Sequence, residues 1–443
     1  MSRAGKALRT LSRVWQTDPR RDPNPLVYAL LAIGAIAYPI WAQISTGGQG
    51  DFLISVIADA GVYILLAIGL NVVVGFAGLL DLGYAAFFAI GAYTYAFFAS
   101  NQLLTTPLGT AIHLPFWIVL LIAMFVAAGF GLVLGAPTLR LRGDYLAIVT
   151  LGFGEIVPRV FKNLSEWTSG VNGISALDKP SLPFWVQGPW SGDPFAFIPD
   201  FKIINPLGFY VIMVLLVGTC IILVNNLRRS RIGRAWMAVR EDEVAAAAMG
   251  VNTVRLKLLA FAIGAAFSGF AGAFYGAKLS LVSPENFGFT VSITILVMVV
   301  LGGMGNIPGV IAGGLLIYLV IFIFLPALPP LVESWAESLG LGSLIAQNGD
   351  WPGIGQEVQR LKFLLFGLIL VLTMLLRPQG LIPSRAREQE LIKGVHEDTT
   401  IPDRHARAGT TRPVNPPHAA HARGAPDRAG LRLTRCSALR VPG

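Results

Sequence analysis

RIGRAWMAVREDEVAAAAMG, residues 231–250, is the one strongly polar stretch inside a body of long apolar runs. Arg240, Glu241, Asp242 and Glu243 stand at its centre, alanines fill 245–248, and Gly250 closes it. Acidic residues ahead of good helix formers complement a helix dipole, and a terminal glycine supplies a stop. The stretch therefore predicts a short helix. The flanking runs, 206–225 and 257–279, are long enough to span a bilayer. A water-facing helix between two spans is either a solvated linker or a handle for a soluble partner. On their own, these residues leave both readings open.

The rest of the chain places that helix in a membrane protein. Of its 443 residues 54% are hydrophobic and only 13% charged, about half the charged share of a soluble domain. The formal charge of +9 sits at the ends. Residues 1–25 carry six Lys/Arg against two Asp, residues 403–443 carry eight Arg against two Asp, and the body between them is nearly neutral. That distribution is no nucleic-acid footprint. Cys220 and Cys436 imply no disulfide framework. Some 25 polar residues precede the first apolar run, a poor secretory signal, so that run is expected to stay as a membrane helix.

Further apolar runs occur at 26–42, 53–74, 82–99, 115–135, 289–302, 309–326 and 362–376. Residues 144–161, DYLAIVTLGFGEIVPRVF, are ambiguous by hydropathy. The positive-inside rule counts them as a crossing. With the basic N-terminus in the cytoplasm, ten crossings put Arg140, Arg142, the Arg228–Arg255 segment, Arg377 and Arg385 inside. The loop 100–113, which lacks Lys and Arg, then falls outside. The expectation is an all-α, polytopic bundle of about ten spans over 26–385, with a cytoplasmic loop at 228–256 and both termini inside. Loops at 163–205 and 327–361 fall outside. Their tryptophans (Trp167, Trp185, Trp190, Trp335, Trp351) suit an interfacial belt or a docking surface. Residues 386–443, rich in Arg, Ala and Pro, read as a disordered basic tail.

Small residues recur at helical spacing, Gly131 with Gly135 and Gly272 with Gly276, and predict close helix packing within the chain. Val73–Gly91 and Val300–Gly314 share an apolar helix, a glycine-rich turn (GFAGLLDLG; LGGMGNIPG) and a second apolar helix. Interruptions in corresponding halves can mark a transport pathway.

Catalytic patterns are missing: no P-loop, no G-x-S-x-G, no H-E-x-x-H. Outside the tail the only histidine is His113. No enzyme, cofactor or metal is expected. Glu155 reads as the one carboxylate at membrane depth, with Arg159 four residues on as a same-face partner. The pair is either structural or part of a pathway, and the structural reading is preferred. Asp144 reads as a helix cap, and Asp59 and Asp81 as interfacial. With so few deep carboxylates, an ion-coupled secondary transporter is disfavoured.

Six blocks carry a resemblance: GLNVVVGFAGLLDLGYAAFFAIGAY (69–93), LRLRGDYLAIVTLGFGEIV (139–157), GRAWMAVREDEVAAAAMGVNTVRLKLLAFAIGAAFSGFAGAFY (233–275), SPENFGF (283–289), VVLGGMGN (299–306) and RPQGLIP (377–383). Together they resemble the LivM-type permease subunit of branched-chain amino acid ABC importers. The resemblance implies a type II importer fold and import of Leu, Ile or Val driven by ATP, with urea or short-chain amides as the alternative cargo. It also implies four kinds of surroundings: a second, related permease, two ABC ATPases, an extracytoplasmic binding protein and the bacterial inner membrane. Residues 231–250 become the coupling loop, with Arg240, Glu241, Asp242, Glu243, Ala245, Ala246 and Gly250 as the residues that meet the ATPase. The importer pattern Glu-Ala-Ala, three residues, Gly is broken here, because Val244 takes the Glu position and Glu243 stands one residue early. The segment 168–174, TSGVNGI, departs from the usual T-G-G-P-N-G-I at two positions.

Overall fold

The computed structural model describes residues 25–47, 50–107, 109, 112–138, 144–180, 205–338 and isolated positions between 364 and 375. The main helices, in chain order, are α1 (Pro25–Ser45), α2 (Asp51–Leu70), α3 (Tyr84–Phe98), α4 (Phe116–Thr138), α5 (Asp144–Asn163) and α6 (Pro206–Arg229). After them come α7 (Arg231–Glu241), α8 (Glu243–Ala248), α9 (Thr253–Leu279), α10 (Phe289–Gly302), α11 (Ile307–Leu319) and α12 (Leu325–Ser338). A π-helical turn, Asn71–Phe76, extends α2, and another, Val320–Phe324, joins α11 to α12.

Seven helical segments among the described residues are long and apolar enough to cross a membrane. The expected crossing at 82–99 appears as the shorter apolar helix α3, and 144–161 forms the 20-residue α5, which is not among those seven. The expected crossing at 362–376 falls largely outside the described residues, as do the basic first 24 residues and the tail from 386. One boundary needs correction. A loop was expected from 327, but the apolar helical stretch that starts at Ile307 runs unbroken to Ser338. Pro329 and Pro330 lie inside α12.

The bundle is organised around α9, which packs against α2, α3 and α4. Its glycines make this possible. A Cβ on Gly269 would stand 2.4 Å from Ala127 Cβ and 2.6 Å from the Ala123 carbonyl oxygen. One on Gly91 would stand 2.2 Å from the Gly269 oxygen. Lipid gives apolar helices no hydrophobic reason to associate, so close backbone approach and the dispersion contacts it allows hold them together. Gly131 and Gly272 are used the same way, against Ala265 and the Phe88 carbonyl, so the small-residue faces pack within the chain as expected.

Two ends of the bundle can be distinguished by what meets there. At one, β1 (Ala99–Ser100) pairs with β2 (Ile112–His113), and β3 (Ile174–Ser175) pairs with β4 (Leu281–Val282). Asp178 joins them: its N–H donates to the Ala99 carbonyl at 2.7 Å, and its carboxylate meets His113 Nδ1. At the other end, the glycine-rich turns at 77–83 and 303–306 meet the segment 230–257 through the Arg240 side chain, which lies beside Gly78 and Gly305. The Lys/Arg distribution assigns the segments to these same two groups. Helix α5 runs from one end to the other, with Thr150 beside the 77–83 turn and Asn163 leading to β3.

Candidate functional site

The polar stretch 231–250 forms two helices rather than one. The break is at Asp242, which adopts an extended conformation (φ −153°, ψ 108°). Its Oδ1 accepts the N–H groups of Val244 at 2.8 Å and Ala245 at 3.0 Å, so it caps α8 from outside. Read from sequence, it looked like a first-turn acid. The other end of α8 closes as a Schellman motif. Val251 N–H donates to the Ala246 carbonyl at 3.1 Å and Gly250 N–H to Ala247 at 3.0 Å, with Gly250 at φ +83°. The glycine stop is present where it was expected.

Each helix of this insert is tied to the membrane body. Ser230 Oγ accepts Gly233 N–H to start α7, and Gly233, Trp236 and Val239 form its buried face. A Cβ on Gly233 would strike the Leu227 and Arg228 carbonyl oxygens at 2.4 Å, so the turn out of α6 requires glycine there. Trp236 is fully buried, and its Nε1 donates to the Leu256 carbonyl in the first turn of α9 at 2.7 Å. Glu243 pairs with Lys257 Nζ at 2.6 Å, also on α9. Arg240 reaches the other way, and its Nη1 donates to the Gly75 carbonyl in the π-turn after α2.

The Gly75 turn is itself joined to the second glycine-rich turn. Asn71 is fully buried, and its Oδ1 accepts Gly305 N–H at 2.8 Å. A Cβ on Gly75 would collide with that Oδ1 and with the Gly305 nitrogen. The two turns that sequence comparison singled out thus come together, with Asn71 between them and Arg240 bound to one. Asn71 and the reach of Arg240 were missed in the sequence, where an Asn inside an apolar run was the available signal.

These contacts sort the expected site residues. Arg240 is turned into the chain. Glu243 is paired with Lys257 but still exposed, and Ala246 is only 6% exposed. Glu241, Asp242, Ala245 and Gly250 are exposed. The outward face also carries Val244, 78% exposed, and Met249, 84% exposed. Two open apolar side chains on an otherwise polar insert are what a protein contact would cover.

Carboxylates along the helices take different partners. Asp81, in the turn at the insert's end of the bundle, is buried in protein: its Oδ1 accepts Gly83 N–H at 2.9 Å where the 77–83 turn folds against Thr150 of α5. Asp59 pairs with Lys278 at 2.6 Å across α2 and α9. Glu155 and Arg159 do form the expected same-face pair, at 3.3 Å, but on an open surface, with the side chains 43% and 75% exposed. Tyr145, Ile148 and Ile156 are exposed on the same stripe. A charge facing lipid at the bilayer centre costs on the order of 3 kcal/mol or more. Asp144 opens α5.

Residues 52–374 match the family described as branched-chain amino acid transport system / permease component. The high-affinity branched-chain amino acid transport system permease protein LivM of Salmonella typhimurium is 39% identical over 379 residues, 83% of this chain and 76% of its own. LivM of Escherichia coli is 38% identical over 382 residues, 83% and 77%. The permease protein LivH of Salmonella typhimurium is also similar, 27% identical over 260 residues, 58% of this chain and 79% of its own. No solved structure matches.

Proposed function

The chain belongs to the permease-component family of branched-chain amino acid transport systems, and from that premise we propose that it is one of two related membrane subunits of an ATP-driven importer. The second subunit is a LivH-like permease, since one organism holds two permeases that both resemble this chain. Two ABC ATPases bind the cytoplasmic end, a binding protein delivers Leu, Ile or Val to the opposite end, and the membrane is the bacterial inner membrane with both termini inside.

The observation that carries this reading is the insert α7–α8. Its outward face offers Val244, Ala245 and Met249, while Trp236, Arg240 and Glu243 hold it to α9 and to the Gly75 turn. An ATPase that grips α8 therefore acts on α9, the helix around which the bundle packs, and on the turn after α2. A solvated linker would need none of these ties. Force on a capped, anchored helix moves a rigid element, whereas force on a loose loop is absorbed by the loop.

The test is co-expression of tagged permease with the second permease, both ATPases and the binding protein. Membrane vesicles should accumulate labelled leucine with ATP, and accumulation of urea or a short amide in its place would reassign the cargo. Val244→Asp with Met249→Asp should insert and fold normally, recover little ATPase on the tag and abolish uptake. Full ATPase recovery by that double variant would remove the coupling role from α8.

A further inference from the structure

Helix α5 combines features that lipid does not tolerate. Tyr145, Ile148, Gly152, Glu155, Ile156 and Arg159 fall on one stripe by helical spacing, while Leu146, Ala147, Thr150 and Val157 face the bundle. Glu155 is the twelfth of the helix's 20 residues, so at 1.5 Å per residue it lies about 17 Å from one end and about 12 Å from the other. It stands five residues, about 7.5 Å, beyond Thr150, which packs on the 77–83 turn, and so lies within the span rather than at its edge. An open ion pair at that depth needs water or protein in front of it.

The stripe also borders a cavity. A cleft of about 500 Å³ shares Val149, Gly152 and Ile156 with this side of α5; Phe87, Phe153 and Phe261 wall it, with Asp81, Thr138 and Thr150 as its polar lining. Nothing approaches within 4 Å of where a Cβ on Gly152 would stand, so the rim is open at that point.

We propose that this face of α5 is a wall of the translocation pathway, and that Glu155 and Arg159 receive the charged ends of the passing amino acid. An α-amino acid is a zwitterion, with an ammonium and a carboxylate on one carbon. Glu155 and Arg159, four residues apart, present the complementary pair: the carboxylate takes the ammonium and the guanidinium takes the substrate carboxylate. The branched aliphatic side chain then lies along Val149, Gly152 and Ile156 at the mouth of the cleft. The pair is suited to this because it is loosely held: its 3.3 Å contact is made in the open, so exchanging it for contacts to a substrate gives up little. The inference rests on the proposed cargo, since urea and neutral amides have no charges for the pair to meet.

Two measurements on the assembled transporter test it, in a background with Cys220→Ala and Cys436→Ser. First, Gly152→Cys and Ile156→Cys variants should react with a charged, membrane-impermeant methanethiosulfonate. Leucine supplied with binding protein and ATP should slow that reaction. Reaction only with a lipid-soluble maleimide, no reaction at all, or a rate unchanged by leucine would each overturn the proposal. Second, Glu155→Gln and Arg159→Gln should each lower the maximal rate of leucine uptake by about tenfold or more, as expected when one charge-assisted contact is lost. Glu155→Asp and Arg159→Lys should retain most of it. The exchange of Glu155→Arg with Arg159→Glu preserves a helix brace but reverses the order of charges, so it should not rescue uptake. Rescue by the exchange, or full uptake by Glu155→Gln, would show the pair to be only a brace. Unmutated vesicles that accumulate urea but no leucine would overturn the assigned cargo. Leucine accumulation with unprotected cysteine variants would overturn this inference alone.

Discussion

Lys278 in the last turn of α9 and Arg159 on α5 each belong to an ion pair, and the two pairs sit in opposite circumstances. Lys278 on α9 is 8% exposed and meets Asp59 of α2 at 2.6 Å, while its Nζ also donates to the Ser55 carbonyl at 2.9 Å. Arg159 on α5 is 75% exposed and meets Glu155 of its own helix at 3.3 Å. The first pair joins two helices. The second joins nothing that helix geometry had not already joined. Residue type does not separate them, since each is one base and one acid. What separates them is how much of the surrounding helix is covered: α9 is packed on most sides, and α5 on one.

The difference can be broken most severely at Lys278. Lys278→Met leaves Asp59, 31% exposed, without its partner, and because solvent reaches that carboxylate the cost falls below that of a fully buried pair, to about 1–3 kcal/mol. The yield of folded protein after extraction should fall, as read by size-exclusion chromatography of the tagged protein. A normal yield would mean that the pair is not a structural tie.

Glycines sharpen the comparison at a smaller scale. Gly269→Val on α9 forces side-chain atoms against Ala127 and the Ala123 backbone, an overpacking cost of about 1–3 kcal/mol. Gly152→Ala on α5 meets nothing within 4 Å. Its thermal stability in detergent should change by no more than about 1 kcal/mol, in the stabilising direction, because alanine is the better helix former. Equal losses at the two positions would erase the contrast between a packed and an open helix. Gly250→Val belongs between the two cases. Its side chain has open space but must adopt φ +83°, a cost on the order of 1 kcal/mol. That variant should fold and couple poorly.

Much of this was legible in the sequence, for identifiable reasons. Long apolar runs and Lys/Arg placement depend on the bilayer, which acts on every residue alike, so the spans and their grouping at two ends could be read. Small-residue faces on α4 and α9 could be read because close approach demands a particular residue at a particular spacing. The limits lie where a residue's role depends on a distant segment. Arg240 looked like part of an exposed charged patch, yet its partner is Gly75, 165 positions away. Ala246 looked like its neighbours, yet it is the one buried residue of α8. Asp81 could be read as standing at the edge of an apolar run, but its burial could not, because that comes from the turn before α3 packing against the side of α5. Glu155 was identified correctly as half of a pair, while the openness of its surroundings could not be seen in one dimension.

In the proposed coupling the insert drives α9, and its side of the membrane decides whether it can be a handle at all. A Met249→Cys variant with Cys220→Ala and Cys436→Ser puts the thiol at the most exposed apolar position of the insert. In sealed cells an impermeant thiol reagent should leave it unlabelled. In inverted vesicles the same reagent should label it, and bound ATPases should block the reaction. Labelling from outside intact cells, or labelling in inverted vesicles that the ATPases do not slow, would contradict the coupling role of α8.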